Sequence, residues 1–417
     1  PTPMNPRSSF PDDAVEMART LVSIPSVNPD LAPDGTGEGD VARQCRAWLE
    51  GWGFEVDWVE PEPGRPSLVA RLGEGRPRTI LNGHLDTVGV EGMPDDPFDP
   101  RMEDGLLFGR GSCDMKAGVA AMLAVARSVA RRRALRPDSV AGELLVVLTA
   151  DEEQASIGLR ALLDRGLEAD RAVVTEPTSL AIAPANRGFV WVHVEVEGVA
   201  AHGSRPDVGR DAIRGAGRLL AELDQVEAAL AEGHRHPLLT SPSIHAGTIR
   251  GGTSPSVYPH RCSLVLEART LPGMEPAQVM AAVEAAVARV REQEPDLTIH
   301  LREGLSRPPA ELPGSHPLVQ DLSRAMEAVG VEPRLEGMSA WVESAWLTEA
   351  GIPAVCFGPG SIEHAHTARE FVPVEEILRC ARVLERWVLE GGAGSGAAGS
   401  GASESPTEPQ SDPDGGA

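Results

Sequence analysis

The chain has 417 residues, of which 41% are hydrophobic and 24% charged, and its formal net charge at pH 7 is −24. This length suits two domains, and the hydrophobic fraction is sufficient for a sizeable core. The acidic excess argues against nonspecific binding to nucleic acids or to anionic membranes. No run approaches the roughly 18 apolar residues that a membrane-spanning helix needs.

The cysteines and the N-terminal sequence bear on the cellular compartment. The five cysteines are scattered, odd in number and form no Cys-x-x-Cys pair. This pattern argues against a disulfide framework and favours the reducing cytosol. Residues 1–10 read as a loose arm without the apolar core of a signal peptide. We therefore expect a soluble, cytoplasmic protein.

After this arm, predicted helices and strands alternate as far as residue 186. Apolar residues at helical spacing and stop signals place helices at 11–21, 41–51, 116–133 and 158–163. Short apolar or alternating runs place strands at 54–59, 67–72, 79–81, 143–149 and 171–175. This alternation predicts an α/β fold with a mostly parallel sheet and helices on both faces.

The pattern changes near residue 187. Strands are predicted at 189–196, 244–250, 262–270 and 297–302, with helices at 211–230 and 276–292 between them. The order βαββαβ is that of a ferredoxin-like unit. Prolines at 308, 309 and 313 mark a return linker, and the α/β pattern resumes at 318–329, 352–357 and 374–389.

These changes divide the chain into four parts. Residues 1–186 and 305–390 form the two parts of a catalytic domain, and residues 187–304 form an inserted domain. Residues 391–417 consist mainly of Gly, Ala, Ser, Pro and acids. Such a segment cannot repay its ordering entropy, so we predict that it is disordered.

Four predicted strands are each followed by carboxylates or imidazoles. These residues are His84 and Asp86, then Asp151, Glu152 and Glu153, then Glu176, and finally Glu363, His364 and His366. In an open α/β sheet, the carboxyl ends of the strands form the edge where ligands bind. Mixed imidazole and carboxylate groups at that edge predict a metal site and hydrolytic chemistry, with Zn²⁺, Mn²⁺ or Co²⁺ as suitable ions.

Each motif alone has a plainer interpretation. His84 and Asp86 are either a capped strand end or one ligand and the carboxylate that orients it. Asp114, in the Gly109–Gly118 segment, is either a helix N-cap or a carboxylate that bridges two ions.

The remaining residues of these motifs also have plainer interpretations. Glu152 and Glu153 are either a surface acidic turn or, on extended backbone, a general base and a metal ligand with diverging side chains. Glu176 precedes Pro177 and could be a simple turn residue. The residue pattern does not choose between His364 and His366.

In combination and in this order, the motifs resemble those of a known family. It comprises the dinuclear-metal amidohydrolases that include acetylornithine deacetylase, succinyl-diaminopimelate desuccinylase, aminoacylase and carboxypeptidase G. The resemblance covers roughly residues 12–390. It implies a zinc-peptidase-like sheet with an inserted lid domain, and it implies the metal ligands His84, Asp114, Glu153, Glu176 and His366, with Asp86 orienting His84 and Glu152 as general acid and base.

The inserted domain resembles the family's lid as well. By that match His202 reaches the active site of a partner subunit and stabilises the oxyanion, which implies a homodimer through residues 187–304. Arg269 would bind the substrate carboxylate through its guanidinium fork; without the family it reads as a surface ion pair. Two positions depart from the family pattern near the expected substrate end. Ser256 stands where Asn is usual, and Glu343 stands where Asp is usual.

We therefore predict a hydrolase with two divalent metal ions that cleaves the amide bond of an N-acyl amino acid, of deacetylase or desuccinylase type. Zn²⁺ is the expected ion, with Co²⁺ or Mn²⁺ as alternatives. Two other functions stay open: a metallo-dipeptidase or glutamate-type carboxypeptidase on the same scaffold, and a non-catalytic acyl-amino-acid-binding protein. A nucleotide-dependent enzyme is not indicated, because the chain has no phosphate-binding glycine loop of known type.

Overall fold

The computed structural model describes residues 10–137 and 140–390. The predicted disorder of 391–417, and all but the last residue of the predicted arm, lie outside this part of the chain. The helices are α1 Asp13–Val22, α2 Gly39–Gly51, α3 Ala117–Leu135, α4 Ile157–Asp164, α5 Ala212–Ala221, α6 Leu223–Ala231, α7 Pro276–Gln293, α8 Pro317–Ala328, α9 Ser344–Glu349 and α10 Val374–Glu390. None of the helices in these ranges is long and apolar enough to cross a membrane.

The strands belong to three sheets. They are β1 Glu55–Glu62, β2 Arg65–Gly73, β3 Arg78–His84, β4 Met102–Glu103, β5 Leu106–Phe108, β6 Glu143–Thr149, β7 Arg171–Val174, β8 Ile182–Asn186, β9 Gly188–Glu197, β10 Ser243–Gly251, β11 Arg261–Thr270, β12 Thr298–Arg307, β13 Ala310–Glu311, β14 Leu335–Met338, β15 Ala354–Cys356 and β16 Phe371–Pro373.

The large sheet has the order β1-β2-β6-β3-β7-β15-β8-β13, with β14 paired to β8. Its central strands β6, β3, β7 and β15 are parallel, while β1, β2 and β13 pair antiparallel with their neighbours. Alternate residues of β6 face opposite sides, so Val146 packs with α1, α3 and α10 and Val147 packs with α4 and α9. Helices therefore cover both faces, and the predicted fold class is confirmed.

The four-stranded unit comprises β9–β12 with α5, α6 and α7. Its sheet is antiparallel throughout, with the order β10-β11-β9-β12 expected of a ferredoxin-like unit. The valines at 190, 192, 194 and 196 pack under the helices, whereas Trp191 and His193 lie on the opposite face. The chain enters this sheet after β8 and leaves it before β13; the domain boundaries at 187 and 304 stay a prediction.

The structure differs from the sequence prediction at α5–α6 and at β8. The single helix predicted at 211–230 is two helices, because the chain turns at Glu222, whose N–H bonds the Leu219 carbonyl and whose carboxylate pairs with Arg289 of α7. Strand β8 was not predicted, because Pro184 interrupts its apolar pattern; in the structure the Pro184 carbonyl still accepts a hydrogen bond from the Leu312 N–H.

Candidate metal centre

The parallel strands bring the predicted residues to one edge of the large sheet. His84 is the last residue of β3, Glu152 and Glu153 follow β6, and Glu176 follows β7. Since β6, β3 and β7 are parallel neighbours, their carboxyl ends meet there. Asp114 lies in the segment Ser112–Lys116, directly before α3, and its backbone there is extended and not helical.

Asp114 lies between two imidazoles. Its Oδ1 is 3.1 Å from Nε2 of His84, and its Oδ2 is 3.3 Å from Nε2 of His366. The same nitrogen of His366 is 3.0 Å from Oε2 of Glu153. His364, the alternative imidazole, instead contacts the Phe371 ring at a centroid distance of 4.1 Å. The two oxygens of Asp114 thus face two different histidines.

The potential ligand atoms form two groups, and within each group they lie within 4.8 Å of one another. One group is His84, Asp114 and Glu153, and the other is His84, Glu152 and Glu176. Oε1 of Glu176 is buried and accepts no hydrogen bond from the described residues. A buried carboxylate oxygen without a donor is costly unless a cation compensates it, so this donor set fits a divalent metal. By distance alone, Glu152 qualifies either as a ligand or as a base.

The pKa values show how crowded the carboxylates are. Burial, reinforced by neighbouring acids, raises the pKa of Glu152 and Glu176 well above the usual range. Burial and the charge of Asp114 raise the pKa of Glu153 to about 7. Hydrogen bonds to Asp114 and Glu153 raise the pKa of His366 to about 10. The site therefore disfavours several carboxylate charges at once unless positive charge is added.

His84 and Asp114 behave differently from these glutamates. Burial alone would lower the pKa of His84, but its contacts with Asp114 and Asp86 outweigh burial and hold this pKa well above its usual value. Burial alone would raise the pKa of Asp114, but the two imidazoles outweigh it and hold this pKa well below its usual value. The protein's own contacts thus favour the charged form of Asp114, as they also do for Asp86, where burial is outweighed and the pKa is lowered by His84 and Asn28.

Glu152 and Glu153 lie on a tight turn, Asp151–Ser156, and not on the extended backbone that the sequence suggested. Asp151 adopts a left-handed conformation with φ of 66°, and its carbonyl accepts hydrogen bonds from the N–H groups of Gln154 and Ala155. The turn changes the direction of the chain after β6, and it presents both glutamates to the cluster.

Asp86 holds this turn as well as His84. Its carboxylate accepts hydrogen bonds from the backbone N–H groups of Glu152 and Glu153, each at 3.1 Å. Nδ1 of His84 is 3.0 Å from the Asp86 carbonyl and 3.5 Å from its carboxylate. Asp86 therefore orients the His84 imidazole and fixes the backbone of Glu152 and Glu153.

The sequence did not point to Asn28 and Arg65 as supporting residues. The amide of Asn28 donates to both Asp86 and Asp151 at 2.9 Å. Arg65 donates to Glu38 through two nitrogens and to Asp151 at 2.8 Å. These contacts join segments that are far apart in the chain, and no local motif marks them.

Glu370 and Glu343 are buried carboxylates with supporting roles. Glu370 accepts hydrogen bonds from the N–H groups of Gly111, Cys113 and Asp114 and from the Arg110 guanidinium. Glu343, which the sequence placed near the substrate end, is only 1% exposed, and it accepts hydrogen bonds from Thr149, Ser156 and Asn82. These hydrogen bonds hold the ends of β3 and β6.

The residues predicted in the inserted domain are not in contact with the cluster in this single chain. His202 is 2.8 Å from the Ser204 hydroxyl, and Gly203 donates to the Ser256 carbonyl, so His202 and Ser256 lie on adjacent segments. Arg269 pairs through Nε with Glu267 at 2.7 Å and lies over the Phe189 ring.

The candidate site combines imidazoles and carboxylates at the edge where the parallel strands end, and two histidines contact one of these carboxylates. This combination is typical of metal-dependent hydrolases. Residues 80–390 match the model of peptidase family M20/M25/M40. The chain therefore belongs to this family, and it is a metal-dependent hydrolase; the family resemblance seen in the motifs is confirmed.

A curated relative agrees with this assignment, and solved structures share the fold. Acetylornithine deacetylase of Myxococcus xanthus is 35% identical over 322 residues, which cover 76% of this chain and 80% of that protein. Among solved structures, aminopeptidase PepT of Bacillus cereus has a TM-score of 0.73 at 21% identity, covering 91% of this chain and 98% of that one. The Bacillus subtilis YXEP protein, described as a dinuclear metal-binding peptidase of family M20, has a TM-score of 0.69 at 16% identity, covering 90% and 96%.

Proposed function

We propose that this protein hydrolyses the amide bond of an N-acyl amino acid, as a deacetylase that acts with two zinc ions in the cytoplasm. The observation that carries the proposal is the placement of Asp114 between His84 and His366, with Glu152 in the adjacent group. The 35% identity to a protein named acetylornithine deacetylase supports acetylornithine as the first substrate to test.

The proposed ligands divide into two sets that share Asp114. His84 and Glu176 would hold one ion, and Glu153 and His366 would hold the other. A divalent cation supplies Lewis acidity: it polarises a carbonyl group and makes water easier to deprotonate. Asp86 keeps His84 in its orientation and anchors the backbone of Glu153, so it supports both sets.

Glu152 is the proposed general base. It is only partly buried, its backbone is fixed by Asp86, and burial raises the pKa of its carboxyl group. A carboxylate of raised pKa takes a proton from water more readily and can then deliver that proton to the leaving amine.

Arg269 is the proposed anchor for the substrate carboxylate. Its Nε is occupied by Glu267, and no described residue pairs with its two terminal nitrogens. Those nitrogens match the two oxygens of a carboxylate.

His202 and Ser256 would complete the substrate end from a partner subunit, with His202 stabilising the oxyanion. Edge strand β10 supports dimerisation through the inserted domain, since within residues 10–137 and 140–390 it pairs only with β11. The neighbouring Ile249 and Ile213 are 50% and 42% exposed.

A substrate panel tests the proposal. The metal-free protein would receive Zn²⁺, Co²⁺ or Mn²⁺ and then acetylornithine, succinyl-diaminopimelate, dipeptides or folyl-glutamate amides. We expect turnover of an acyl amino acid, and we expect Glu152→Gln to bind metal normally but lose at least about 100-fold in kcat. Preferential cleavage of dipeptides would instead make the protein a peptidase. Metal binding without any turnover would make it a binding protein.

A further inference from the structure

Arg307 lies at the junction of the two larger sheets. It is the last residue of β12, where it pairs with Phe189 of β9, and β13 of the large sheet begins at Ala310. Only 6% of Arg307 is exposed. Its guanidinium hydrogen bonds are to backbone carbonyls, and no carboxylate among the described residues pairs with it. A buried cation without an acid partner requires another form of stabilisation.

Two tryptophans of the catalytic part supply that stabilisation. The Arg307 guanidinium carbon is 5.5 Å from the ring centroid of Trp341 and 5.4 Å from that of Trp346. The two rings meet edge to face, with centroids 5.9 Å apart and an interplanar angle of 73°. Contact with two aromatic faces stabilises a desolvated guanidinium and restricts where it can lie.

The guanidinium also reaches the turn that carries the two glutamates. Nη2 of Arg307 donates a hydrogen bond to the Ala155 carbonyl at 2.8 Å. Ala155 is bound within the turn, since its N–H donates to both the carbonyl and the carboxylate of Asp151. If Arg307 were displaced, the turn would therefore be displaced with it.

We propose that Arg307 is a positioning residue that links the four-stranded unit to turn Asp151–Ser156 and so sets the position of Glu152 and Glu153. This inference rests on the proposed function, because it gives these glutamates their roles. Misplacement of a catalytic group by about 1 Å is enough to cost on the order of 100-fold in rate.

Arg307→Met and Arg307→Lys test the proposal, with Arg302→Met as the matched control. Arg302 is also on β12 but is exposed. We expect Arg307→Met to lower kcat about tenfold or more while KM changes less than about threefold, because substrate contacts are kept. Arg307→Lys, which keeps one donor but not the planar cation, should lie between this variant and the wild type. The control should match the wild type.

Hydrogen exchange provides a readout that does not depend on substrate. In Arg307→Met, the amides of residues 154–156 should exchange faster than in the wild type, and those of β6 should not change. Unchanged exchange across 151–156, or the same loss of kcat in Arg302→Met, would overturn the proposal. If Arg307→Met does not fold, Arg307→Lys carries both measurements. If the wild type cleaves no amide, the proposed function fails, while exchange still decides whether Arg307 holds the turn.

Discussion

Asp114 is the residue on which both proposed metal positions depend. Its two oxygens face different imidazoles, and its pKa is held low, whereas burial raises the pKa of Glu152, Glu153 and Glu176. The charged form of Asp114 is therefore favoured between the two imidazoles. Cations bound there would also reduce the repulsion among the surrounding carboxylates.

Asp114→Asn should remove most of the metal binding. The metal-free wild type should gain thermal stability when Zn²⁺ is added, because a ligand that binds only the folded state stabilises it by mass action. We expect elemental analysis of Asp114→Asn to find little metal, and calorimetry to find little increase in Tm. The control is Asp104→Asn at an exposed left-handed position that asparagine tolerates. Wild-type metal content in Asp114→Asn would contradict this view of the site.

At the scale of elements, the Gly109–Lys116 segment depends on a carboxylate from far along the chain. Glu370 accepts three backbone N–H groups from this segment, at 2.8 to 3.0 Å, and pairs with Arg110 at 2.6 Å. These bonds hold the backbone from which Asp114 projects. Glu370 is thus not a proposed ligand, but it fixes the orientation of one.

Glu370→Gln should weaken metal binding although it leaves every proposed ligand in place. One of the two acceptor oxygens is replaced by an amide donor that faces backbone N–H groups, so the segment loses its anchor. We expect metal affinity to fall about 10- to 100-fold, measured by competition with a chelator. Glu375→Gln, an exposed glutamate paired with Arg379, is the control. Equal affinity in both variants would show that Glu370 does not position Asp114.

The central elements could be predicted because local signals agreed. The apolar run 144–148 lies between Glu143 and Thr149, and β6 has the predicted limits. Strand β8 and the turn at Asp151 could not be predicted in this way. The former contains Pro184, and the latter depends on a left-handed residue held by Asn28 and Arg65, which are 123 and 86 residues away.

The residues of the candidate site also divide into those that local signals predict and those that they do not. His84, Glu153 and Glu176 follow apolar runs, so their convergence was predictable from the rule that parallel strands end at one edge. The preference for His366 over His364 came from the family resemblance, and in the structure it is His366 that lies beside Asp114 and Glu153. The roles of Glu343 and Arg307 depend on tertiary contacts and carry no local signal.

At the scale of the whole molecule, a single chain does not bring all the proposed catalytic residues together. His202 is exposed and contacts Ser204, whereas the metal cluster lies at the edge of the large sheet. The edge of β10, which no strand of the described residues pairs, and the exposed Ile249 are the surface on which we propose that a second copy binds. In a symmetric dimer, each site would then combine Glu152 of one subunit with His202 of the other.

Mixing two inactive variants tests this arrangement directly. Glu152→Gln and His202→Ala should each lose most activity as homodimers. In a mixed dimer, one site has both residues intact and the other has neither. If equal amounts exchange subunits freely, half of the dimers are mixed, and about a quarter of wild-type activity should return. Recovery should require conditions that allow subunit exchange, which sedimentation can establish, and the unmixed variants give the baseline. If subunits exchange and activity stays at that baseline, His202 does not act across the dimer.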